Sequence, residues 1–452
     1  TFSNPCASIY ELAFSQRMPP VQNIATFLSL SGLRFFSTHS GNSVKILISG
    51  SKNATLPILA ASVLASHVKL KNVPLVKDVL TMCNLLEVLG SKVEISEKNK
   101  TIKVINKKKH KLVVPYKLIS TMRAGVLLMG ALLGKYPKNK ISCAAPGGCS
   151  LGERFTNFHI AGFKSLGAKY NLKNGYTNLS AKNGLIGNTY KFPKVSVTGT
   201  CNLIMASVFA KNTTTLKNVS LEPEVIDVIS FLNNSSNSKF IKFTGKRTLQ
   251  IKGITKLIKG SHKVIGDRIA AFSYLCVGAI TRGKVKVNNI NPKYLRKELE
   301  VLQRMGCEIK ANNSSIIINA RRKLKSVSFK TNPWPEFATD NMPILMAVLT
   351  TVDGKSKIEE NVFSQRFQAA PELNRMGAFI SIKKNKAIII GQKKLFGAEC
   401  ISSDLRSSFA IILGSIAATG TSQIHRVYHS SRGYYQLPKK LKKLGINIKV
   451  IK

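Results

Sequence analysis

From Ser43 onward, one pattern of apolar and polar positions recurs six times at a spacing of about 65 to 80 residues. Each unit opens with an Ala-rich stretch that is apolar almost all round. These stretches are Leu56 to Leu64, Ala124 to Leu133, Asn202 to Ala210, Ile269 to Ile280, Met342 to Leu349 and Ser408 to Ala418. A helix without a polar face belongs inside a core, so the pattern predicts six buried helices. Each is followed by a short turn and an alternating segment such as Val68-Lys69-Leu70 or Lys284-Val285-Lys286-Val287, which predicts a strand. An amphipathic helix follows, and then a further strand. Five of the six amphipathic helices run into a Leu-Gly or Met-Gly pair, namely Leu89-Gly90, Leu166-Gly167, Met305-Gly306, Met376-Gly377 and Leu444-Gly445. The glycine there predicts a helix C-cap. The third unit reads Asn233-Asn234-Ser235-Ser236 at this place, a cap lost or remodelled.

A unit of this kind cannot cover its own apolar surface, so several must pack together. Six units make one ring or two groups of three. The chain enters the fourth around Gly260 to Gly266, a natural place to change domain, and the reading is an α/β protein of two lobes with a cleft between them. Ligands favour such clefts.

Composition changes this picture in one respect. The chain has 452 residues, and 69 basic against 21 acidic residues give it a net charge of +48. Nucleic-acid binding, small anionic substrates and compositional drift compete to explain that excess. The lysines fall on no single face, and no aromatic-rich RNA-binding signature accompanies them, so drift accounts for most of the charge and no specific nucleic acid is expected. A local anion site stays open. The eight cysteines are irregularly spaced with no Cys-x-x-Cys pair, which suggests neither a zinc site nor a disulfide framework and fits a reducing compartment. Apolar runs such as Ala124 to Leu133 are too short to cross a bilayer, and a soluble protein is expected. Residues 1–42 contain Arg17 and Arg34, many hydroxyl residues and only Glu11 as an acid. They read as an N-terminal extension: a transit segment, a disordered extension or a translated upstream region.

The chemistry concentrates in Ala145 to Phe155, where Cys149 lies among Gly147, Gly148 and Gly152, with Arg154 five residues on. A thiol on such a turn, with a cation near it, could exchange a proton during a reaction, whereas most free cysteines are small buried hydrophobes. Composition and spacing leave both readings open.

Nine segments in fixed order carry a resemblance to a known family. They are Ser49-Gly50-Ser51-Lys52-Asn53-Ala54, Met122-Arg123-Ala124, Pro146 to Arg154, Glu222-Pro223-Glu224, Gly266-Asp267-Arg268, Thr339-Asp340, Gln365-Arg366-Phe367, Asp404-Leu405-Arg406 and Arg432-Gly433-Tyr434. Over residues 43 to 452 the chain resembles the enolpyruvyl transferases, and most closely those members that act on a UDP-sugar. The resemblance implies a two-lobed fold of six α/β units, three per lobe, an inside-out α/β barrel. Residues 52–265 would form the first lobe, carrying the cysteine loop, and residues 43–51 with 266–452 the second. It implies transfer of the enolpyruvyl group of phosphoenolpyruvate to the 3-hydroxyl of UDP-N-acetylglucosamine with loss of phosphate, the first committed step of peptidoglycan synthesis, and no metal or organic cofactor.

The same resemblance implies roles. Cys149 is the proton donor and Asp340 takes the hydroxyl proton. Lys52, Arg123, Arg154 and Arg432 contact the anionic substrate, with Arg406 a further candidate, and Asn53 supports the reacting groups. Arginine's planar fork suits carboxylate and phosphate. Ser196, Val197, Asp340 and Val362 would hold the sugar nucleotide. Read without the family, Asn53 is a helix N-cap before Leu56, Asp340 a solvated turn residue, and His159 either a substrate contact or a satisfied surface histidine.

Three positions depart from the pattern. Ser431 replaces an aspartate before Arg432, Thr198 a glycine after Val197, and Ala338 a proline before Thr339. They put in doubt the orientation of Arg432, the backbone's approach to the nucleotide, and the firmness of the Asp340 turn. The rival readings are a non-catalytic descendant that binds a sugar nucleotide, a protein partner or nucleic acid, and the shikimate-pathway enolpyruvyl transferase. Against the first stands the retained set Lys52, Cys149, Arg154, Asp340 and Arg432. Against the second stands the Gly-Gly-Cys loop. Location is expected to be cytoplasmic, or the interior of an organelle or symbiont if residues 1–42 are a transit segment.

Overall fold

The six apolar stretches are six buried helices: α1 (Lys52–Ser62), α2 (Leu127–Lys135), α3 (Val197–Ser207), α4 (Arg268–Ile280), α5 (Met342–Leu349) and α6 (Leu405–Ala417). The structure is a computed structural model that describes residues 27–31, 43–106, 109–120, 122–144, 157–257 and 259–451. Every residue of α4 and α5 is buried, as helices without a polar face require.

Among the described residues, six four-stranded sheets of one design stand around these helices. In each, the strand after the buried helix pairs in parallel with one neighbour and antiparallel with the next, and a final antiparallel strand completes the sheet. The second sheet shows the order within one stretch of chain: Val113–Val114, Ile141–Ala144, Tyr176–Ser180, Lys169–Lys173. The alternation read from the sequence selects the inward face. In His67–Lys71 only Val68 and Leu70 are buried, and the lysines face outward.

Two strands are exchanged. Val44–Leu47 precedes α1 yet pairs with Lys284–Asn288 of the fourth unit. Lys259–Lys263 precedes α4 yet pairs with His67–Lys71 of the first. The chain therefore crosses between two hydrophobic clusters. One is built from residues 54–264 with Tyr435, and the other from Leu28, Leu30, Ile46, Ile48 and residues 270–448. Each cluster contains three of the buried helices, and the two make the two lobes. At the crossings Gly50 faces Gly266 in an antiparallel bridge, closed by Ser51 N–H donating to Ile265 O at 2.7 Å and Asp267 N–H to Ser49 O at 3.0 Å.

The helix ends follow the glycine reading. Gly90, Gly167, Gly306, Gly377 and Gly445 all have φ between +81° and +104°. In the third unit the outer helix Pro223–Ser236 ends on Asn237 at φ +53°, so asparagine has taken over the left-handed cap.

One expectation needs correction. Residues 1–42 are not wholly an extension, because Phe27–Ser31 forms an inner strand of the sixth sheet between Thr421–His425 and Ile448–Ile451. Leu28 and Leu30 are buried in the second lobe's core. The strand supplies the place that in the other five units is filled from within the unit, so the start of the chain closes its end. Leu30→Ala should lower stability by about 2 to 4 kcal/mol, read from a denaturant midpoint. An unchanged midpoint would put residues 27–31 outside the folded protein.

Candidate active site

Lys52 is the first residue of α1, directly after the crossing. Its Nζ lies 3.1 Å from Oδ2 of Asp78, and Nε of Arg432 lies 2.9 Å from Oδ1 of the same carboxylate. Asp78 lies in the first turn of the outer helix Lys77–Val88 of the first lobe, and Arg432 follows the short helix Tyr428–Ser431 of the second. One buried carboxylate thus receives a cation from each lobe. Burial pushes the Asp78 carboxyl up, but the charges of Lys52 and Arg432 outweigh it and hold the group below the usual aspartate range. For Lys52, burial is the largest effect and lowers the amine. Asp78 opposes that fall, and the positive charges of Arg406 and Arg432 add to it.

A second group adjoins the first through Arg406. Asp340 sits in the turn Thr339–Asn341 that leads into α5, and its two oxygens are engaged by Arg366 and Arg406. Arg366 Nη2 bonds Oδ1, and Arg406 Nη2 lies 3.0 Å from Oδ2. Arg406 is the second residue of α6, whose N-cap Asp404 accepts the Arg406 N–H at 2.8 Å. Arg366 is fully buried and also donates to Thr339 O at 3.1 Å. Glu360 ties the neighbouring turns together. One of its oxygens accepts the N–H groups of Val362 (2.8 Å) and Phe363 (3.0 Å), and the other the Thr339 hydroxyl at 3.0 Å.

Four cations, Lys52, Arg366, Arg406 and Arg432, therefore face two carboxylates, Asp78 and Asp340. The surplus is positive, and the N-terminal ends of α1 and α6 add to it. Such a cluster is built to receive an anion.

The sequence profile of the EPSP synthase (3-phosphoshikimate 1-carboxyvinyltransferase) family matches residues 40–441. The chain belongs to this family, the enolpyruvyl transferases. It is 45% identical over 408 residues to the UDP-N-acetylglucosamine 1-carboxyvinyltransferase of Pelagibacter ubique, covering 90% of this chain and 96% of that protein. It is 40% identical over 415 residues to the protein of that name from Rickettsia africae, covering 91% and 98%. The enolpyruvyl transferase NikO from Streptomyces tendae superposes with a TM-score of 0.82 at 21% identity, over 94% of this chain and 98% of that one. EPSP synthase from Acinetobacter baumannii gives 0.70 at 17% identity, over 94% and 99%, so the fold is shared well beyond detectable similarity of sequence.

Not every residue singled out by the family resemblance joins this cluster. Cys149 and Arg154 lie outside the described residues, which stop at Ala144 and begin again at Asn157. Arg123 stands in the first lobe on the turn Arg123–Val126, and Ser196 caps α3, its Oγ accepting from Gly199 N at 3.1 Å, with Val197 exposed beside it. Neither Ser196 nor Val197 bonds to the Lys52 or Asp340 groups among the described residues. Asn53 is not the cap of α1. That place belongs to Ser51, whose Oγ accepts from Ala54 N at 3.3 Å, so Asn53 is released from this structural task. His159 is buried rather than at the helix surface. It bonds Asn202 at 2.7 Å and Thr198 at 3.3 Å, and burial foremost, then the Arg123 charge, brings its pKa down to about 4. It is neutral near pH 7 and serves the packing of α3.

At two of the three departures from the enolpyruvyl transferase pattern a group on another element stands in. Arg432 is oriented by Asp78, while the Ser431 hydroxyl donates to Tyr428 O within its own turn. Thr198 supplies the hydroxyl that His159 meets. Ala338 keeps an N–H that proline would lack and donates it to the buried Glu298 at 3.0 Å, which also accepts from Asn341 at 3.0 Å. The Asp340 turn is anchored from beneath.

Asp78 and the pairing role of Arg366 went unread in the sequence. Acids are scarce here, and a third of the 21, including Asp78, are buried among the described residues, a burial that the sequence alone does not show. Because its pairing holds the Asp78 carboxyl acidic, that stabilisation is complete above the usual aspartate range and is lost as pH falls through the depressed value. Asp78→Asn should cost about 3 kcal/mol near pH 7, and less as the solution is acidified. Urea midpoints across pH test this. A cost that does not shrink in acid would detach the effect from the carboxylate.

Proposed function

We propose that this chain transfers the enolpyruvyl group of phosphoenolpyruvate to the 3-hydroxyl of UDP-N-acetylglucosamine and releases phosphate. What carries the reading is the cation surplus drawn from both lobes around Lys52, Asp78 and Arg432, in a chain whose relatives at 40–45% identity bear that enzyme's name. Phosphoenolpyruvate brings a phosphate and a carboxylate, and Lys52, Arg432 and Arg406, with Arg123 and Arg154, are the groups to receive them. Ser196, Val197, Val362 and Asn53 are assigned to the sugar nucleotide and the support of the reacting groups.

Cys149 gives its thiol proton to the methylene carbon of phosphoenolpyruvate while the sugar oxygen bonds to the neighbouring carbon, and Asp340 takes the hydroxyl proton. In the second step the methyl group of that adduct returns a proton to the Cys149 thiolate, the C–O bond to phosphate breaks as the double bond is restored, and the departing phosphate takes the proton held by Asp340. Asp340 begins this sequence with both oxygens bound by arginines, so it must exchange one of them for the sugar hydroxyl. An arriving anion that draws on Arg406 makes that exchange. The six described cysteines are all buried, and burial raises the thiols of Cys143, Cys201 and Cys400 to about 12 and of Cys307 to about 11. None of these is suited to giving up a proton near neutrality, which supports the assignment to Cys149.

The reaction opens peptidoglycan synthesis, in the cytoplasm of a bacterium or inside an organelle or symbiont. No helix among the described residues is long and apolar enough to cross a membrane. Purified protein should release phosphate from phosphoenolpyruvate only when UDP-N-acetylglucosamine is present, and Cys149→Ala should lose at least about a hundredfold in turnover. Release with 3-phosphoshikimate instead would assign the acceptor of the enzyme for which the family is named. Binding of both substrates without release would make the chain a non-catalytic descendant.

A further inference from the structure

On another side of the crossings lies a cavity of about 170 Å³ lined by Ser49, Lys100, Tyr435, Lys439, Lys440 and Lys443, among others. None of its lining residues belongs to the Lys52, Asp78, Asp340 and Arg432 cluster. Ser49 comes from the crossing itself, Lys100 from the turn that joins Ser91–Ser96 to Thr101–Asn106 in the first lobe, and the remaining three lysines from the helix Leu437–Lys443 in the second. The cavity is therefore walled from both lobes.

Its charge is uncompensated. Among the described residues no carboxylate pairs with Lys100, Lys439, Lys440 or Lys443. Asp267 acts on Lys440 and Glu97 on Tyr435 through their charges alone. Asp267 is committed elsewhere, accepting the N–H groups of Ile269 and Ala270 at 2.9 Å and of Lys52 at 3.3 Å. In place of an acid the ammonium groups have rings. Lys440 Nζ lies 5.6 Å from the Tyr274 centroid and 5.8 Å from that of Tyr435, and Lys100 Nζ lies 5.8 Å from Tyr435. The cost of this arrangement is visible at Lys440. Its amine is brought down to about 8, by burial first and then by the charge of Lys100. Scattered surface lysines of a drifted chain stand in water, where they repel little. Four that converge on one recess, two of them half-buried, form a site with no counter-ion of its own.

We propose that this cavity binds a small phosphate-bearing anion and thereby ties the two lobes together beside their crossing. Phosphate oxygens supply what the lysines lack, and a group held by Lys100 on one side and Lys439, Lys440 and Lys443 on the other bridges the lobes. Free phosphate and the polyphosphate of a nucleotide share this chemistry.

Titration calorimetry of the whole protein with pyrophosphate, inorganic phosphate and adenosine diphosphate tests the proposal. Saturable pyrophosphate binding is expected beyond any effect of sodium chloride at equal ionic strength. The double variant Lys439→Gln and Lys443→Gln, at exposed positions, should weaken one class of pyrophosphate binding about tenfold, and Arg432→Ala, which removes an anion contact of the candidate active site, should leave that class in place. Either order of affinity among the three anions supports the site and identifies its source of phosphate. Binding that survives the double variant but is lost in Arg432→Ala would return the anion to the candidate active site and overturn the proposal. So would the absence of saturable binding in the unaltered protein.

Discussion

The fold depends on two places where the backbone has no room for a side chain. A Cβ on Gly50 would stand 1.7 Å from the carbonyl oxygen of Asn72, and one on Gly266 would stand 1.9 Å from that of Asn289. Asn72 and Asn289 are both left-handed, and their side-chain amides donate across the crossing, to Val264 O and Ile48 O, each at 2.8 Å. The two chain passages are thus locked by equivalent contacts from opposite lobes. Buried helices start immediately beyond them, at Lys52 and at Arg268, so the crossing decides where the first cation of the site stands. Asp267, the cap of α4, also accepts the backbone N–H of Lys52 and joins the two helix starts.

Electrostatics then separates the residues that matter from those that do not. Most of the +48 charge sits on exposed lysines, where solvent and salt blunt repulsion. Where charge is buried, acids have been kept. Asp78 holds Lys52 and Arg432, Asp340 holds Arg366 and Arg406, and Glu224 holds Arg268 at 3.0 Å. Removing one member of such a buried set leaves its partner uncompensated, which explains why drift stops at the core.

What could be read from the sequence was local in origin. Six helices without a polar face and five glycine caps depend on neighbours within a few residues, and each is found in the structure. The third unit's missing glycine was legible as a loss but not as its remedy, because any of several asparagines near Asn237 could adopt the left-handed cap. Features set by distant partners were not legible. Phe27–Ser31 looks like part of an acid-poor leader until it is paired with strands some 390 to 420 residues further along the chain. Asp78 looks like an ordinary first-turn acid until Lys52 and Arg432 arrive from either side. Lys52, Asp340, Arg406 and Arg432, singled out by family resemblance, are linked in space through Asp78 and Arg406, and the groups that stand in at the departures Ser431 and Ala338, Asp78 and Glu298, lie on other elements.

In the proposed function the cations gathered between the lobes serve the passage of an enolpyruvyl group to a sugar nucleotide. The mass of the UDP-N-acetylglucosamine recovered after incubation with phosphoenolpyruvate and the protein reads this directly. A product heavier by one enolpyruvyl group in place of a hydroxyl hydrogen is expected, with the added group on the 3-oxygen of the sugar. Recovery of the sugar nucleotide unchanged, from folded protein that binds both substrates, would contradict it.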